Sequence, residues 1–266
     1  MDTLRLILSA PGDARWNMAA DETLLAGVIG GLTVPTLRLY SWSPPGISLG
    51  HFQPEGMADL GACARHGVEV VRRVTGGGAV FHHGDVTACL VCPASALPHN
   101  VRESYRLLSG AHAAALCSLG LDAGIGNEAP PLPRRLRPGY DCFARLTECD
   151  VAVGGLKVAG SAQRRKGGAV LHHTSVVWEP QPSELLAELL PGAASLGLPA
   201  AVLELAPEAD RRGFEERLAG EVARALGLEP QVGGLSGEEE ADARYLAKAK
   251  RSETERTARR RELYPR

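Results

Sequence analysis

Three consecutive glycines stand in the stretch RRVTGGGAVFHHGD, which runs from Arg72 to Asp85. Glycine has no side chain to keep a ligand away from the backbone, and it adopts positive φ at little cost. Gly76, Gly77 and Gly78 could therefore form a surface against which a ligand lies, although a glycine-rich turn or bulge also explains them. A phosphate-binding loop would place its glycines at the start of a helix, often before Lys-Ser/Thr. A strand-like run follows here instead, which disfavours nucleotide binding.

A second stretch of small residues lies in KVAGSAQ, from Lys157 to Gln163. Small side chains clear space beside a strand in the same way that the glycines do. Two such strands facing each other would enclose a narrow apolar slot lined by backbone N–H groups. A linear acyl chain fits this slot better than a nucleotide does. The small residues of this stretch are Ala159, Gly160, Ser161 and Ala162.

Six cysteines are scattered along the chain, too few for a disulfide scaffold in a protein of this length. Cys63 and Cys117 fall within predicted helices, where we expect them to be core residues. Cys89 and Cys92 form a CxxC pattern. Their predicted strand puts the two thiols on opposite faces, and no second CxxC is present, so metal or redox chemistry is disfavoured.

Cys142 differs from the other cysteines because it follows a Pro- and Gly-rich segment, RPGYDCF. That setting predicts an exposed thiol. Lys157 follows it across a predicted hairpin, and an ammonium beside a cysteine favours the thiolate and lowers the thiol pKa. A thiolate of this kind is a nucleophile suited to covalent catalysis.

Two pairs of histidines stand at predicted strand ends. They are His82 with His83, and His172 with His173. Adjacent residues of a strand point in opposite directions, so at most one member of each pair can share a site. A two-histidine metal site and ordinary structural histidines both remain compatible with this pattern.

Long helices alternate with groups of strands along the chain, which favours an α+β domain with a mixed sheet. WNMAADETLLAGVIG predicts a helix with Asn17 as N-cap, and a second helix begins at Asn100 and runs to Leu119. Gly154–Gly155 predicts the turn of a β-hairpin. We expect residues 1–228 to form the catalytic domain and residues 229–266 to form a charged helical C-terminal extension.

The composition is that of an ordinary globular protein, with 44% hydrophobic and 23% charged residues among 266. A formal charge of −2 gives no global basic field to hold nucleic acid. No apolar run approaches the roughly 20 residues that span a bilayer. The N-terminal apolar run lacks a basic segment before it, so we expect no signal peptide and a reducing, cytoplasmic location.

Three stretches together resemble the biotin/lipoate protein ligase catalytic superfamily: WNMAADETLL, RRVTGGGAVFHH and CF…LKVAGSAQRRKGGAVLHHTSV. Within it, the chain is most similar to the cysteine-dependent octanoyl-[acyl-carrier-protein]:protein N-octanoyltransferases. The resemblance covers roughly Leu4 to Leu226, and its most specific part is Cys142-Phe143 with VAGSAQ downstream. It implies a central mixed β-sheet flanked by helices.

The resemblance also implies a reaction. Cys142 would attack the octanoyl thioester of acyl carrier protein, and Lys157 would lower the pKa of its thiol. A lysine of a lipoyl-domain protein, such as the glycine cleavage H protein, would then take the octanoyl group as an amide, as a step of lipoate biosynthesis. No cofactor or metal is expected, and we expect a monomer. The predicted substrate-binding residues are Arg72, Gly76, Gly77, Gly78, His82, Ala159, Gly160, Ser161 and Ala162.

Three alternatives remain open. A related amidotransferase would use Cys142 to move octanoyl or lipoyl groups between lipoyl-domain proteins. An ATP-dependent lipoate ligase would need no essential cysteine, but such ligases usually carry Asp and then Gly-Asn after the histidine, where this chain has His83 and Val86. An acyl-binding module without catalysis would need neither Cys142 nor Lys157.

Overall fold

A computed structural model describes residues 3–126, 146–191 and 199–250 of the chain. The helices are α1 (Ala14–Ile29), α2 (Leu60–Arg65), α3 (Val101–Cys117), α4 (Ser183–Leu189), α5 (Val202–Leu205), α6 (Arg211–Leu226) and α7 (Gly237–Ala249). The first strands are β1 (Thr3–Leu8), β2 (Thr36–Tyr40), β3 (Gly46–Leu49), β4 (Glu69–Arg72), β5 (Val80–His82) and β6 (Asp85–Pro93). The others are β7 (Ala123–Ile125), β8 (Val151–Val153), β9 (Leu156–Lys166), β10 (Ala169–Val177) and β11 (Glu229–Gly233).

Two sheets organise these strands. The large sheet has the order β11-β1-β2-β6-β10-β9-β8-β7, and the small sheet has the order β4-β3-β5. In the large sheet β1 runs parallel to β2 and β11, and the other pairs are antiparallel. In the small sheet β3 runs parallel to β4 and antiparallel to β5. The predicted α+β fold with a central mixed sheet is confirmed.

Helices cover both faces of the large sheet. On one face α3 and α6 bury apolar side chains such as Leu108 and Phe214 in the same cluster as sheet residues. On the other face α1 packs Met18 and Leu24 against the sheet. Full burial of such a side chain stabilises the fold by about 1.5–3 kcal/mol. The small sheet shares a third apolar cluster with α2 and α4.

Helix α1 begins earlier than the sequence predicts. Asp13, and not Asn17, is its N-cap, because the Asp13 carboxylate accepts a hydrogen bond from the Trp16 amide at 2.7 Å. Asn17 lies one turn further on and is fully buried. Its side-chain amide donates to the carbonyls of Gly12 and Ser41, which anchors the helix to the neighbouring loops.

Two other local predictions are confirmed. Asn100 caps α3 by accepting from the amides of Arg102 and Glu103, although the helix ends at Cys117. Gly154–Gly155 joins β8 to β9, with φ of 57° and 82° at the two positions. Positive φ at both central residues is the geometry that a two-residue hairpin turn requires.

The C-terminal extension predicted as helical begins instead with a strand. Residues 229–233 form β11, which pairs with β1 at the edge of the large sheet. All five residues of β11 are exposed, so no apolar periodicity marks the strand in the sequence. Helix α7 follows and packs on α1, and Arg5 of β1 forms an ion pair of 2.7 Å with Glu239. The domain boundary at residue 228 stays a prediction.

Candidate functional site

A pocket lies between the small sheet and the α1-covered face of the large sheet. The large sheet contributes strands β2, β6, β9 and β10, and the small sheet contributes β3 and β5. The wall combines apolar and polar side chains, which is the usual character of a small-molecule site. The lining residues are Met18, Tyr40, Trp42, Ser48, Arg73, Val80, His82, Thr87, Gly160, Ser161, Ala162, His173 and Ser175.

Four of the predicted substrate-binding residues line this pocket: His82, Gly160, Ser161 and Ala162. Ala159 is fully buried in the apolar cluster on the α3 side of the sheet, because adjacent strand residues point to opposite faces. The substrate-binding roles of these residues stay predictions.

The adjacent residues Arg72 and Arg73 also have different surroundings. The Arg72 guanidinium donates to the backbone carbonyls of Gly50 and Gln53, at 3.0 and 2.7 Å, and thereby holds a neighbouring loop. Arg73 is the arginine that lines the pocket, and it is almost completely buried. The sequence-based assignment of Arg72 to substrate binding stays a prediction.

The triple glycine folds around the Arg73 guanidinium. Arg73 Nη2 donates to the carbonyls of Gly76 and Gly78, at 2.6 and 2.7 Å. Gly77 has a φ of 92°, which an L side chain rarely adopts. A β-carbon added at Gly50 would lie only 2.0 Å from Gly77 O. One edge of the glycine loop is therefore packed tightly, whereas a β-carbon at Gly76 would meet no atom of the described chain within 4 Å.

Lys157 is the second residue of the small-residue strand β9, and its side chain is buried. Its ammonium donates to Asp150 Oδ2 at 2.8 Å, and both side chains are more than 90% buried. The Thr147 amide donates to the same carboxylate oxygen at 2.6 Å. A β-carbon added at Gly160 would lie 3.3 Å from Lys157 Nζ. Since Gly160 lines the pocket, the ammonium lies close to the pocket wall.

Asp150 is a partner that sequence reasoning missed. It stands immediately before β8, and the β8–β9 hairpin brings it to Lys157 through the register that pairs Ala152 with Lys157. An acidic residue just before the hairpin is the signal that could have indicated this pair. Cys142 lies outside the described residues, so its predicted pairing with Lys157 stays a prediction.

His82 is held on three sides. Its Nδ1 lies 2.8 Å from Asp85 Oδ2 and its Nε2 lies 2.8 Å from Ser48 Oγ. The Trp42 indole stacks on the imidazole with 3.8 Å between ring centroids. Burial lowers the pKa of His82 below its usual value, although the Asp85 charge opposes this. His82 is therefore neutral at neutral pH.

His173 is held by a second carboxylate. Its Nε2 lies 3.0 Å from Asp21 Oδ2 and its Nδ1 lies 3.2 Å from Thr75 Oγ1. Asp21 also accepts from Arg38 at 2.9 Å and from the Tyr40 hydroxyl at 2.7 Å. Burial raises the pKa of Asp21, but the Arg38 charge and these hydrogen bonds outweigh it, and the net pKa is lowered.

Arg73 joins the two histidine networks into one. Its guanidinium donates to Ser48 Oγ from Nη1 and to Thr75 Oγ1 from Nε, both at 3.1 Å. Hydrogen bonds thus run without a break from the Asp85 carboxylate to the Asp21 carboxylate. Two guanidinium groups and two carboxylates balance the buried charge, as a buried network requires.

A family model described as the lipoyl protein ligase A/B catalytic domain matches residues 13–212. The chain belongs to this family. An octanoyltransferase of Kyrpidia tusciae, LipM, is 36% identical over 92% of this chain and 95% of its own length. The LipM octanoyltransferase of Symbiobacterium thermophilum is 37% identical over 88% of this chain and 90% of its own length. These relatives confirm that the protein is an acyltransferase.

Solved structures agree with this family assignment. A lipoate-protein ligase A solved with bound ATP superposes with a TM-score of 0.77 and 25% identity, covering 93% of this chain and 95% of its own. The T. acidophilum protein Ta0514, solved with bound lipoic acid, gives a TM-score of 0.76 and 25% identity, covering 94% of this chain and 96% of its own. The biotin/lipoate ligase fold is therefore confirmed for this family member.

The histidine pairs of this acyltransferase split between two faces, as the sequence predicts. His172 lies on the α3 side against Tyr105 and Gln163, and His83 stacks on Phe81. His82 and His173 both line the pocket, but each ring nitrogen of both already lies within hydrogen-bond distance of a partner, which disfavours a two-histidine metal site.

One buried cluster of the acyltransferase, Asp21, Cys89 and His173, has potential ligand atoms within 4.8 Å of one another. Asp21 already accepts hydrogen bonds from Arg38 and Tyr40, and a guanidinium beside a carboxylate disfavours a metal cation. Burial and the Asp21 charge raise the pKa of the Cys89 thiol well above its usual value. Cys89 therefore remains a thiol in this packed site.

The other cysteine predictions have mixed outcomes. Cys63 is buried, as expected, and Cys89 and Cys92 belong to apolar clusters on opposite faces of the sheet. The prediction that Cys117 is a core residue is wrong. It is exposed at the last turn of α3, where its Sγ donates to the Ala123 carbonyl. No helix in the described part of the chain is long and apolar enough to cross a membrane.

Proposed function

We propose that this acyltransferase moves an octanoyl group from octanoyl-acyl carrier protein to a lysine of a lipoyl-domain protein, through a thioester on Cys142. The full-length relatives are named octanoyltransferases, and octanoyl transfer in lipoate biosynthesis is the activity that this chain shares with them. The observation that carries the covalent scheme is the buried Lys157–Asp150 pair next to the pocket wall.

In the first half-reaction the Cys142 thiolate attacks the thioester carbonyl of the donor. A new C–S bond forms, and the donor sulfur leaves as a thiolate with the electron pair of the C–S bond that breaks. An ammonium near a thiol stabilises its thiolate, and Asp150 holds the Lys157 ammonium in place. The chemistry requires no ATP, because conversion of a thioester to an amide is downhill.

The pocket wall supports an acyl guest. Met18, Trp42 and Val80 supply apolar surface, and Gly160 and Ala162 add backbone with little side-chain bulk. An alkyl chain gains about 0.8 kcal/mol for each methylene that it buries on such a surface. The second half-reaction transfers this chain to the lysine of the acceptor, for which we propose the glycine cleavage H protein.

Intact-mass measurement tests the scheme. The purified protein is incubated with octanoyl-acyl carrier protein in the absence of ATP, and apo H protein is then added. We expect an octanoyl adduct on Cys142 that the H protein discharges, and no adduct on a Cys142→Ser variant. Cys149→Ser serves as the matched control, because that cysteine is partly exposed and lies close to Cys142 in the sequence.

Other outcomes identify the alternatives. If octanoylated H protein charges Cys142 but octanoyl-acyl carrier protein does not, the enzyme is an amidotransferase between lipoyl-domain proteins. If lipoylation requires ATP and free lipoate and the Cys142→Ser variant remains active, the enzyme is a ligase. Saturable octanoyl binding without turnover would contradict any transferase activity.

A further inference from the structure

A second pocket lies between helix α1, the loop that follows it and helix α7. Its volume of about 380 Å³ falls within the range of small-molecule sites. The described residues that line it include none that line the pocket between the two sheets. Acidic, aromatic and aliphatic side chains form its wall, and no basic side chain of the described chain does so. The wall therefore favours a guest that is positively charged.

Two carboxylates of α7 supply the negative charge of this pocket. Glu238 and Asp242 both line it, and they lie four residues apart, so they are neighbours on one face of the helix. Neither makes a hydrogen bond or an ion pair with another described residue, whereas Glu239 is paired with Arg5. Like charges at this spacing repel each other and destabilise a helix. A cation bound in the pocket would remove that repulsion.

Exposed apolar side chains stand beside these carboxylates. Leu32 is 87% exposed and Tyr245 is 74% exposed, and both line the pocket. Large apolar side chains grouped at one exposed place are typical of a binding surface. The face of a tyrosine ring also attracts a cation. A guest that carries both hydrocarbon and positive charge matches this combination.

The pocket wall also contains a hydroxyl group that lacks a partner. Thr23 is only 6% exposed, and its Oγ1 makes no hydrogen bond within the described chain. A threonine inside a helix often donates to a carbonyl of the preceding turn, and buried polar groups are rarely left unpaired. Because Thr23 lines the pocket, an N–H group of a guest would provide the missing hydrogen bond.

An organic cation fits this pocket better than a metal ion. In the described chain the one group of three potential metal ligands whose atoms lie within 4.8 Å of one another is Asp21, Cys89 and His173, outside this pocket. The carboxylates of α7 do not form such a group. An ammonium with three N–H donors can instead pair with a carboxylate and donate to a hydroxyl at the same time.

We propose that the pocket between α1 and α7 binds a primary alkylammonium group. Its positive charge pairs with Glu238 and Asp242, its N–H donates to Thr23, and its hydrocarbon stem covers Leu32 and Tyr245. Such a group belongs either to a free alkylamine or to the lysine side chain of a protein. The inference goes beyond the proposed function and does not depend on it.

Calorimetric titration of the full-length protein tests the proposal with three probes. The first is 1,5-diaminopentane, and the second is 1,5-pentanediol, a neutral molecule of the same length. The third is Nα-acetyl-lysine amide, which carries the ammonium of a lysine side chain. We expect saturable binding of an amine and at least about tenfold weaker binding of the diol. Raising the ionic strength from about 0.03 M to about 0.3 M should weaken amine binding, because exposed charges are screened.

Variants locate the binding to this pocket. Asp242→Asn should weaken amine binding at least about threefold, as expected for an exposed ion pair, and the double variant with Glu238→Gln at least about tenfold. Thr23→Val, which keeps the shape of the side chain, should weaken it about threefold. Asp122→Asn is the matched control, because Asp122 is an exposed aspartate just before β7, at the opposite edge of the large sheet from β11. It should bind the amine as the native protein does.

The outcomes separate support from refutation. Binding of the lysine amide with the same sensitivity to Asp242→Asn supports the proposal and points to a protein side chain as the source. Binding of the diamine alone, with that sensitivity, supports it and points to a free alkylamine. The proposal is overturned if neither amine binds, if the diol binds as tightly, or if the double variant binds as the native protein does. Each result leaves the octanoyl transfer scheme unaffected, because that scheme uses no residue of this pocket.

Discussion

Replacement of Gly50 by alanine should strongly destabilise the glycine loop. The new β-carbon would lie 2.0 Å from Gly77 O, a backbone atom, whereas real contacts essentially never fall below 3.0 Å. The loop must therefore move by about 1 Å. Arg73 holds it through two short bonds to carbonyls, and loss of a charge-assisted hydrogen bond costs about 1.5–3 kcal/mol. When the cost of overpacking is added to the lost hydrogen bonding, we expect the free energy of unfolding to fall by at least about 3 kcal/mol.

Thermal unfolding measures this effect. A loss of about 3 kcal/mol lowers the Tm of a protein of this size by roughly 6–12 °C. Gly76→Ala is the matched control, because its β-carbon meets no described atom within 4 Å and its φ is not positive, so its Tm should change by less than about 2 °C. Slower octanoyl charging of Gly76→Ala at unchanged Tm would support its predicted contact with substrate. A Gly50→Ala protein that melts within about 2 °C of the native one would refute the tightly held loop.

Three further predictions concern charged and titratable side chains. Asp150→Asn leaves the Lys157 ammonium without its carboxylate, so it should lower the free energy of unfolding in urea by about 3 kcal/mol and slow octanoyl charging. An unchanged midpoint of urea unfolding would contradict this. Burial lowers the pKa of His112 to about 4 and of His172 to about 3, so the unfolded chain binds more protons below pH 6.5. The free energy of unfolding, which is highest above pH 6.5, should therefore fall by about 2–3 kcal/mol per histidine between pH 6.5 and pH 4.5. Over the same pH range the free energy of unfolding of His112→Gln should fall by less than that of the native protein. Arg5→Leu removes the two hydrogen bonds that the Arg5 guanidinium donates to the Glu239 carboxylate of α7. Amide hydrogen exchange in α7 should therefore accelerate while α3 stays protected.

Local features of the fold were predictable from the sequence because each depends on residues a few positions apart. Gly154–Gly155 requires positive φ at both positions, and that requirement alone predicts the hairpin. Asn100 caps α3 through amides two and three residues away. The edge strand β11 was missed because its exposed residues carry no periodic pattern and its pairing with β1 joins opposite ends of the described chain.

The site could be predicted only in part. Strand alternation shows that one of Arg72 and Arg73 faces the pocket, but the sequence does not say which face the large sheet covers. The choice of Lys157 followed from its place across the predicted hairpin from Cys142, whereas its partner Asp150 becomes visible only in the register of the β8–β9 hairpin.

By itself the sequence determined the chemical groups and the local backbone: the glycine loop, the small-residue strand, a thiol and an amine. The tertiary structure decided which of these groups meet. Ser48 reaches His82 because β3 and β5 pair in antiparallel register, and Asp85 reaches Ser175 because β6 pairs with β10. Both contacts depend on the pairing of strands that lie far apart along the chain, and that pairing is set by the apolar surface of the whole chain rather than by any short pattern.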